Sequence, residues 1–340
     1  MAPTAPTTRP RFASNQDILQ AWHNHAQQVL RPDSTKNYRV QINRFLQAWG
    51  NHLIHDLTPR DLWAYLDQYR ALCSQYRLHN PSTKQPYCFA GQQLPCTKTC
   101  TKYEAMKHGT IEAHLNAIVH LYDFLARREY VSHNIARDVK RQWQKESRHQ
   151  RRTKKRRLPT QQEIKALIHG NAPINHRALY AILAKTGLRI GEACHLRIQD
   201  VDLQNRRITI PEYGGKRRGN RDIPIDTQLA VILRQYNDWR QDHNSSYYLL
   251  HAHGGSLHAM DINKRNNWLK QDQAKAGIKP GITYHCFRHY YSNHLKHSGI
   301  DNYWWHILRG DKPPGTQDPY IHPTWQDIQR QYRQHAPRIA

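Results

Sequence analysis

The sequence predicts a mainly α protein of two domains with one small antiparallel β-sheet. Three observations carry that prediction. The chain has 340 residues, which at roughly 100–200 residues per domain makes about two domains. Apolar residues recur at helical spacing over most of its length. One segment, residues 206–225, instead alternates and turns like a β-hairpin. Hydrophobic residues make up 38%, lean but enough for a core in each domain.

Residues 1–12 read as a disordered leader. The first helical stretch carries Ile18, Leu19 and Trp22, and the second carries Tyr38, Val40, Ile42, Phe45, Leu46 and Trp49. Asp33-Ser34-Thr35 is expected to cap the start of that second helix, and Gly50 its end. A third helix begins at Thr58-Pro59, where Pro59 suits a first helical position, and aligns Leu62, Tyr65, Leu66 and Tyr69. The pattern lapses over about 73–107, which holds Pro81, Pro86, Pro95 and four cysteines, and resumes from Thr110 to Leu125. Residues 13–140 therefore form one helical domain with a Cys/Pro-rich insert. Residues 141–157 are expected to be a basic linker, and 158–340 a second domain that ends in a helix over 325–335.

Lys and Arg number 51 against 26 Asp and Glu, a formal net charge of +25 with a pI near 10.0. A surplus of that size points to a polyanionic partner, nucleic acid first. No apolar run approaches the ~18–20 residues that span a bilayer, and the start of the chain shows no secretory signal. Six cysteines argue for a reducing compartment. The expectation is a cytoplasmic, nucleoid-associated protein that binds DNA. The densest patch is Arg148, Arg151, Arg152, Lys154, Lys155, Arg156 and Arg157, seven cations in ten residues, so the linker is also expected to neutralise backbone phosphates.

The second domain holds a series of weak motifs. Thr186-Gly187-Leu188-Arg189-Ile190-Gly191-Glu192 is a turn into a helix, with Arg189 and Glu192 on one face. Lys216 stands beside the Gly214-Gly215 turn of the hairpin. His285 and Arg288 are three apart on an amphipathic helix. Asp311 and Tyr320 follow, nine residues apart. In this order and spacing the motifs resemble the tyrosine recombinase, or phage integrase, family. The likeness extends more loosely over the helices of the first domain and spans most of residues 13–335, apart from the insert.

The resemblance implies a helical core-binding domain followed by a catalytic domain of the DNA breaking-rejoining fold. It implies a site-specific recombinase that cuts one DNA strand through a 3′-phosphotyrosine and rejoins it, with neither metal nor ATP. The same chemistry leaves open a type IB topoisomerase-like relaxing enzyme, and the fold a non-catalytic DNA-binding protein. Tyr320 would be the nucleophile and Lys216 the general acid for the 5′-hydroxyl. Arg189 and Arg288 would clamp the phosphate oxygens, His285 would assist, and Glu192 would orient the site. Exchange between two duplexes implies a homotetramer on DNA, and the helix after Tyr320 is a candidate for docking onto a neighbouring protomer. This sequence departs from the family at Asp311, where most members have His or Trp. A carboxylate beside a phosphate repels it unless it is protonated or bonded to arginine. His306 or His322 could substitute for the missing ring.

Cys73, Cys88, Cys96 and Cys100 lie within 28 residues of polar, Pro-rich chain. Four thiolates would suit a tetrahedral structural zinc that orders a segment without a core. The spacing is not the usual paired one; His79 or His108 could replace a ligand, and unligated thiols are the alternative. Cys194 and Cys286 read as small packing residues.

Overall fold

The computed structural model describes residues 12–71, 76–77, 87–88, 106–147, 157–211, 221–240, 245–253, 256–260, 265–311 and 323–339. The chain folds as two compact units, Met1–Thr153 and Lys154–Ala340. Among the described residues no helix is long and apolar enough to cross a membrane.

The first unit is built from α1 (Asn15–Val29), α2 (Pro32–Trp49), α3 (Pro59–Ala71), α4 (His108–Arg127) and α5 (Ile135–Glu146). A two-residue ladder pairs β1 (Tyr76–Arg77) with β2 (Tyr87–Cys88) antiparallel. The core is the apolar stripe of each helix: Ile18 and Trp22, Ile42 and Phe45, Leu62 and Leu66, Leu115 through Leu125, then Val139 and Trp143. α2 starts earlier than expected. Pro32, with no amide hydrogen to leave unpaired, takes its first turn, and Asp33-Ser34-Thr35 lie inside the helix. Thr35 does not cap; its buried hydroxyl donates to the Ala26 carbonyl at 3.3 Å. Gly50 ends α2 with φ of 55°, as expected of a C-cap. α5 corrects the linker boundary, because the helix runs to Glu146 and buries Trp143, so 141–146 belong to the first unit. His108 starts α4, stacks on Trp143 at 4.3 Å and bonds Ser147 at 2.9 Å.

The second unit opens with α6 (Gln161–His169), capped reciprocally by Thr160 and Glu163. α7 (Ile174–Thr186) follows, and every residue from Ala178 to Thr186 is buried. Its burial on all sides marks a central helix, packed against α6, α9 (Thr227–Arg240) and α11 (Tyr284–His297). The short α8 (Ile190–Cys194) leads to β3 (Val201–Asp202), β4 (Arg207–Ile210) and β5 (Arg221–Pro224), an antiparallel sheet in that order. Ile208 pairs Ile223 and sends both side chains into the core. The hairpin read from residues 206–225 is thus present; its tip, with Lys216, lies outside the described residues. A second hairpin, β6 (Leu250–His253) with β7 (Ser256–Ala259), precedes α10 (Arg265–Lys275). After α11 come α12 (Asn302–Arg309) and α13 (Trp325–His335). α13, expected as a candidate to dock on a neighbour, packs on β5 of its own unit. Tyr332 is fully buried and its hydroxyl donates to the Lys185 carbonyl at 3.1 Å.

Candidate active site

Gly187 ends α7 in the left-handed conformation, φ 62°, and a Cβ there would come within 2.3 Å of the Tyr291 ring. Only glycine meets both demands. Its carbonyl is left pointing at Arg288, whose Nη1 donates to it at 2.8 Å. Two residues on, Arg189 caps α8. The Glu192 carboxylate accepts the Arg189 amide at 2.8 Å and the Arg189 Nη1 at 2.9 Å, so one side chain caps the start of the helix and aims the guanidinium.

Arg288 comes from α11 and is 4% exposed. Its Nη1 also donates to the Arg309 carbonyl at 3.0 Å. Gly310 closes α12 with φ of 67°, and a Cβ there would collide with the Arg221 guanidinium at 2.2 Å. The bare glycine lets Arg221 reach in from β5, where its Nη2 bonds Glu192 at 3.0 Å. Asp311 follows directly. It accepts from Arg189 Nη2 at 3.2 Å, from Arg288 Nη2 at 3.1 and 3.0 Å, and from Arg309 Nη2 at 3.1 Å.

Among the described residues four guanidiniums and two carboxylates therefore meet at one place, and those six side chains carry a net charge of two positive. Burial, then the neighbouring Arg189 charge, pulls Arg288 down to about 10, still protonated at neutral pH. Burial would raise Glu192, but Arg221 and the Arg189 amide outweigh it and hold the carboxyl below its ordinary value. The result is a partly desolvated cluster in which guanidiniums outnumber carboxylates.

The structure brings together Arg189, Glu192, Arg288 and Asp311 of the residues predicted from sequence. His285 lies one turn before Arg288 on α11 but is exposed, its ring edge-on to His289 at 4.6 Å. The backbone carbonyl of His306 accepts the Asp311 amide at 2.9 Å, while its ring packs edge-on against Trp305 at 4.6 Å. Tyr320, Lys216 and His322 lie outside the described residues, as do Arg148, Arg151, Arg152, Lys154, Lys155 and Arg156. Arg157, expected among the DNA contacts, is described and pairs with Glu163 at the start of α6. Cys73, Cys96, Cys100 and His79 and the Cys88 side chain are likewise outside; among the described residues no cluster of three His, Cys, Asp or Glu could hold a metal. Cys194 and Cys286 are buried, as packing residues should be. Arg221 and Arg309 were not singled out from sequence. Arg309-Gly310-Asp311 did place a cation two residues from the acid, but Arg221 reads as an ordinary strand residue.

Residues 157–304 match the model of the phage integrase family. Through this second unit the chain is similar to the tyrosine recombinases. Tyrosine recombinase XerA of Pyrococcus furiosus is 32% identical over 144 residues, covering 42% of this chain and 49% of that protein. XerA of Thermococcus kodakarensis is 35% identical over 146 residues, with the same coverage. The match spans about half the length of those two relatives. XerC of Halalkalibacterium halodurans aligns further, over 252 residues at 26% identity, 67% of this chain and 76% of that protein. Two solved integrase structures share the fold. A Tn1549 transposon integrase in complex with a circular intermediate DNA has a TM-score of 0.61 at 16% identity, covering 93% of this chain and 98% of that one. A lambda integrase dimer bound to a COC′ core site has 0.60 at 12% identity, covering 91% and 99%.

Proposed function

We infer that the chain is a site-specific DNA recombinase that cuts and rejoins strands through a 3′-phosphotyrosine on Tyr320. The observation that carries this reading is the convergence of Arg189 and Arg288 on one desolvated anion site in a unit of the recombinase family. Phosphoryl transfer places growing negative charge on non-bridging oxygens, and fixed guanidiniums stabilise it without reorganising.

In the proposed step the Tyr320 oxygen bonds to phosphorus as the bond to the 5′-oxygen breaks, and Lys216 gives that oxygen its proton. A phenol titrates near ~10 unaided, so the cationic field and His285 serve to draw off the Tyr320 proton. A 5′-hydroxyl from another duplex reverses the step. Double-stranded DNA is the substrate, and exchange between two sites takes four protomers. The run from Arg148 to Arg156 serves the duplex backbone, positioning it without reading sequence. A structural zinc on Cys73, Cys88, Cys96 and Cys100 belongs to the same proposal; about one equivalent of zinc in purified protein supports it, and four titratable thiols with no zinc refute it.

The test is to trap covalent adducts on a library of nicked duplexes and sequence the DNA end held by the protein. The wild-type chain should yield an adduct at one phosphodiester, and Tyr320→Phe none. An adduct that survives Tyr320→Phe removes the nucleophile assignment.

A further inference from the structure

Every terminal nitrogen of the two clamp arginines is engaged by the protein's own acceptors. Arg189 gives Nη1 to Glu192 and Nη2 to Asp311. Arg288 gives Nη1 to the Gly187 and Arg309 carbonyls, and Nη2 to both oxygens of Asp311. The Gly187, Arg309 and Glu192 contacts orient the clamp and come from its own framework. Asp311 is different: its two oxygens bridge two guanidiniums, as the non-bridging oxygens of a phosphodiester would. Its side chain is 19% exposed and that of Arg189 36%, so the bridge lies on the solvent side of the buried Arg288.

We propose that the Asp311 carboxylate is an internal stand-in for the scissile phosphate, holding Arg189 and Arg288 until DNA displaces it onto Arg309. This deepens the strand-transfer reading above and rests on it. A phosphate cannot share those nitrogens with a carboxylate that stays in place, because two anions at hydrogen-bonding separation repel. Displacement needs somewhere for Asp311 to go. Arg309 Nη2 already holds Oδ2 at 3.1 Å, and the Arg309 guanidinium is anchored over the Trp305 ring at 4.2 Å. Asp311 can release the clamp and keep this partner, so no partly buried charge is left unpaired. The arginines are thus preorganised and charge-balanced before DNA arrives, and only an anion that outbids a carboxylate takes them.

A positioning strut would use the same contacts but predicts the opposite response to its removal. The first probe is inorganic phosphate, read by thermal unfolding of the full chain with no DNA present. Removing a charged competitor should lower the phosphate concentration needed for half-maximal stabilisation about ten-fold in Asp311→Asn relative to wild type. Asp311→Ala should do the same, which covers the case in which the amide misfolds the site. The second probe is the rate of covalent adduct formation on the trapped duplex. Arg309→Gln should slow it roughly ten-fold or more while DNA binding is retained, because Asp311 then loses the cation it would move to and stays on the clamp. Adding Asp311→Asn to Arg309→Gln should restore the rate.

Unchanged phosphate affinity in both Asp311 variants overturns the proposal. So does an Arg309→Gln defect that the second substitution fails to relieve. The phosphate experiment needs no cleavage, so a wild-type chain that forms no adduct refutes the strand-transfer reading alone.

Discussion

The imidazole of His114 lies fully buried in the first core, stacked on Tyr69 at 4.1 Å. Its Nδ1 faces Gln41 Oε1 at 2.8 Å and its Nε2 faces the Tyr65 hydroxyl at 2.6 Å. A neutral ring satisfies both, donating to the amide oxygen and accepting from the phenol. Burial, reinforced by the Arg44 charge, therefore depresses its pKa to about 3. The unfolded chain binds this proton below pH ~6.5 and the folded chain does not, so stability present above 6.5 is lost as pH falls toward 3. The expected slope is at most about 1.4 kcal/mol per pH unit from this residue. Urea unfolding of the first unit, followed in the full chain between pH 7 and 5, should show that slope diminish in His114→Gln. An undiminished slope in the variant would assign the pH dependence elsewhere.

At the scale of elements, α7 shows most plainly what could be read in advance. Its apolar run and the glycine at its end were visible in the residues, and both follow from local rules. Lys185 was not visible, because a lysine in a helix ordinarily lies in water. Here it is 1% exposed, paired with Asp226 and donating to the Pro337 carbonyl, so α7, the start of α9 and the C-terminal segment close around one charge. Desolvation lowers the Lys185 pKa against the opposing pull of Asp226. Asp226→Ala should cost the second unit about 3 kcal/mol in chemical denaturation, since it strands a buried cation. The apolar replacement Lys185→Met should cost clearly less; equal losses would show that packing, and not charge, dominates there. The same limit governed α13. Its helix was legible, but whether its buried Tyr332 met its own unit or another copy was a matter of tertiary contact.

For the whole molecule, the charge of +25 divides into two kinds. Arg189, Arg221, Arg288 and Arg309 are bound up with Glu192 and Asp311 and carry +2 of it, so 25 − 2 = +23 lies on the rest of the chain. Replacing Arg151, Arg152, Lys154 and Lys155 with alanine should weaken DNA binding. The dependence of log affinity on log salt should become shallower by about 0.9 for each phosphate that is no longer neutralised. Adduct formation at saturating protein should persist. An unchanged salt slope would take the linker out of the DNA interface.

Helical periodicity, turn residues and charge are local or summed properties, so the sequence by itself determined the mainly α class and the hairpin at 206–225, and its charge pointed to a polyanion. The ordered motifs pointed to the resemblance, and the phage integrase model matches residues 157–304. Arg189, Arg288 and Asp311 could be named from those motifs, but not their mutual contacts. That Asp311 bridges the arginines, that Arg309 shares it, and that Arg221 crosses from β5 to Glu192 depend on side chains up to 122 residues apart. Only the tertiary structure could decide those pairings, since each requires two turns, Gly187 and Gly310, to bring separate helices within hydrogen-bonding distance.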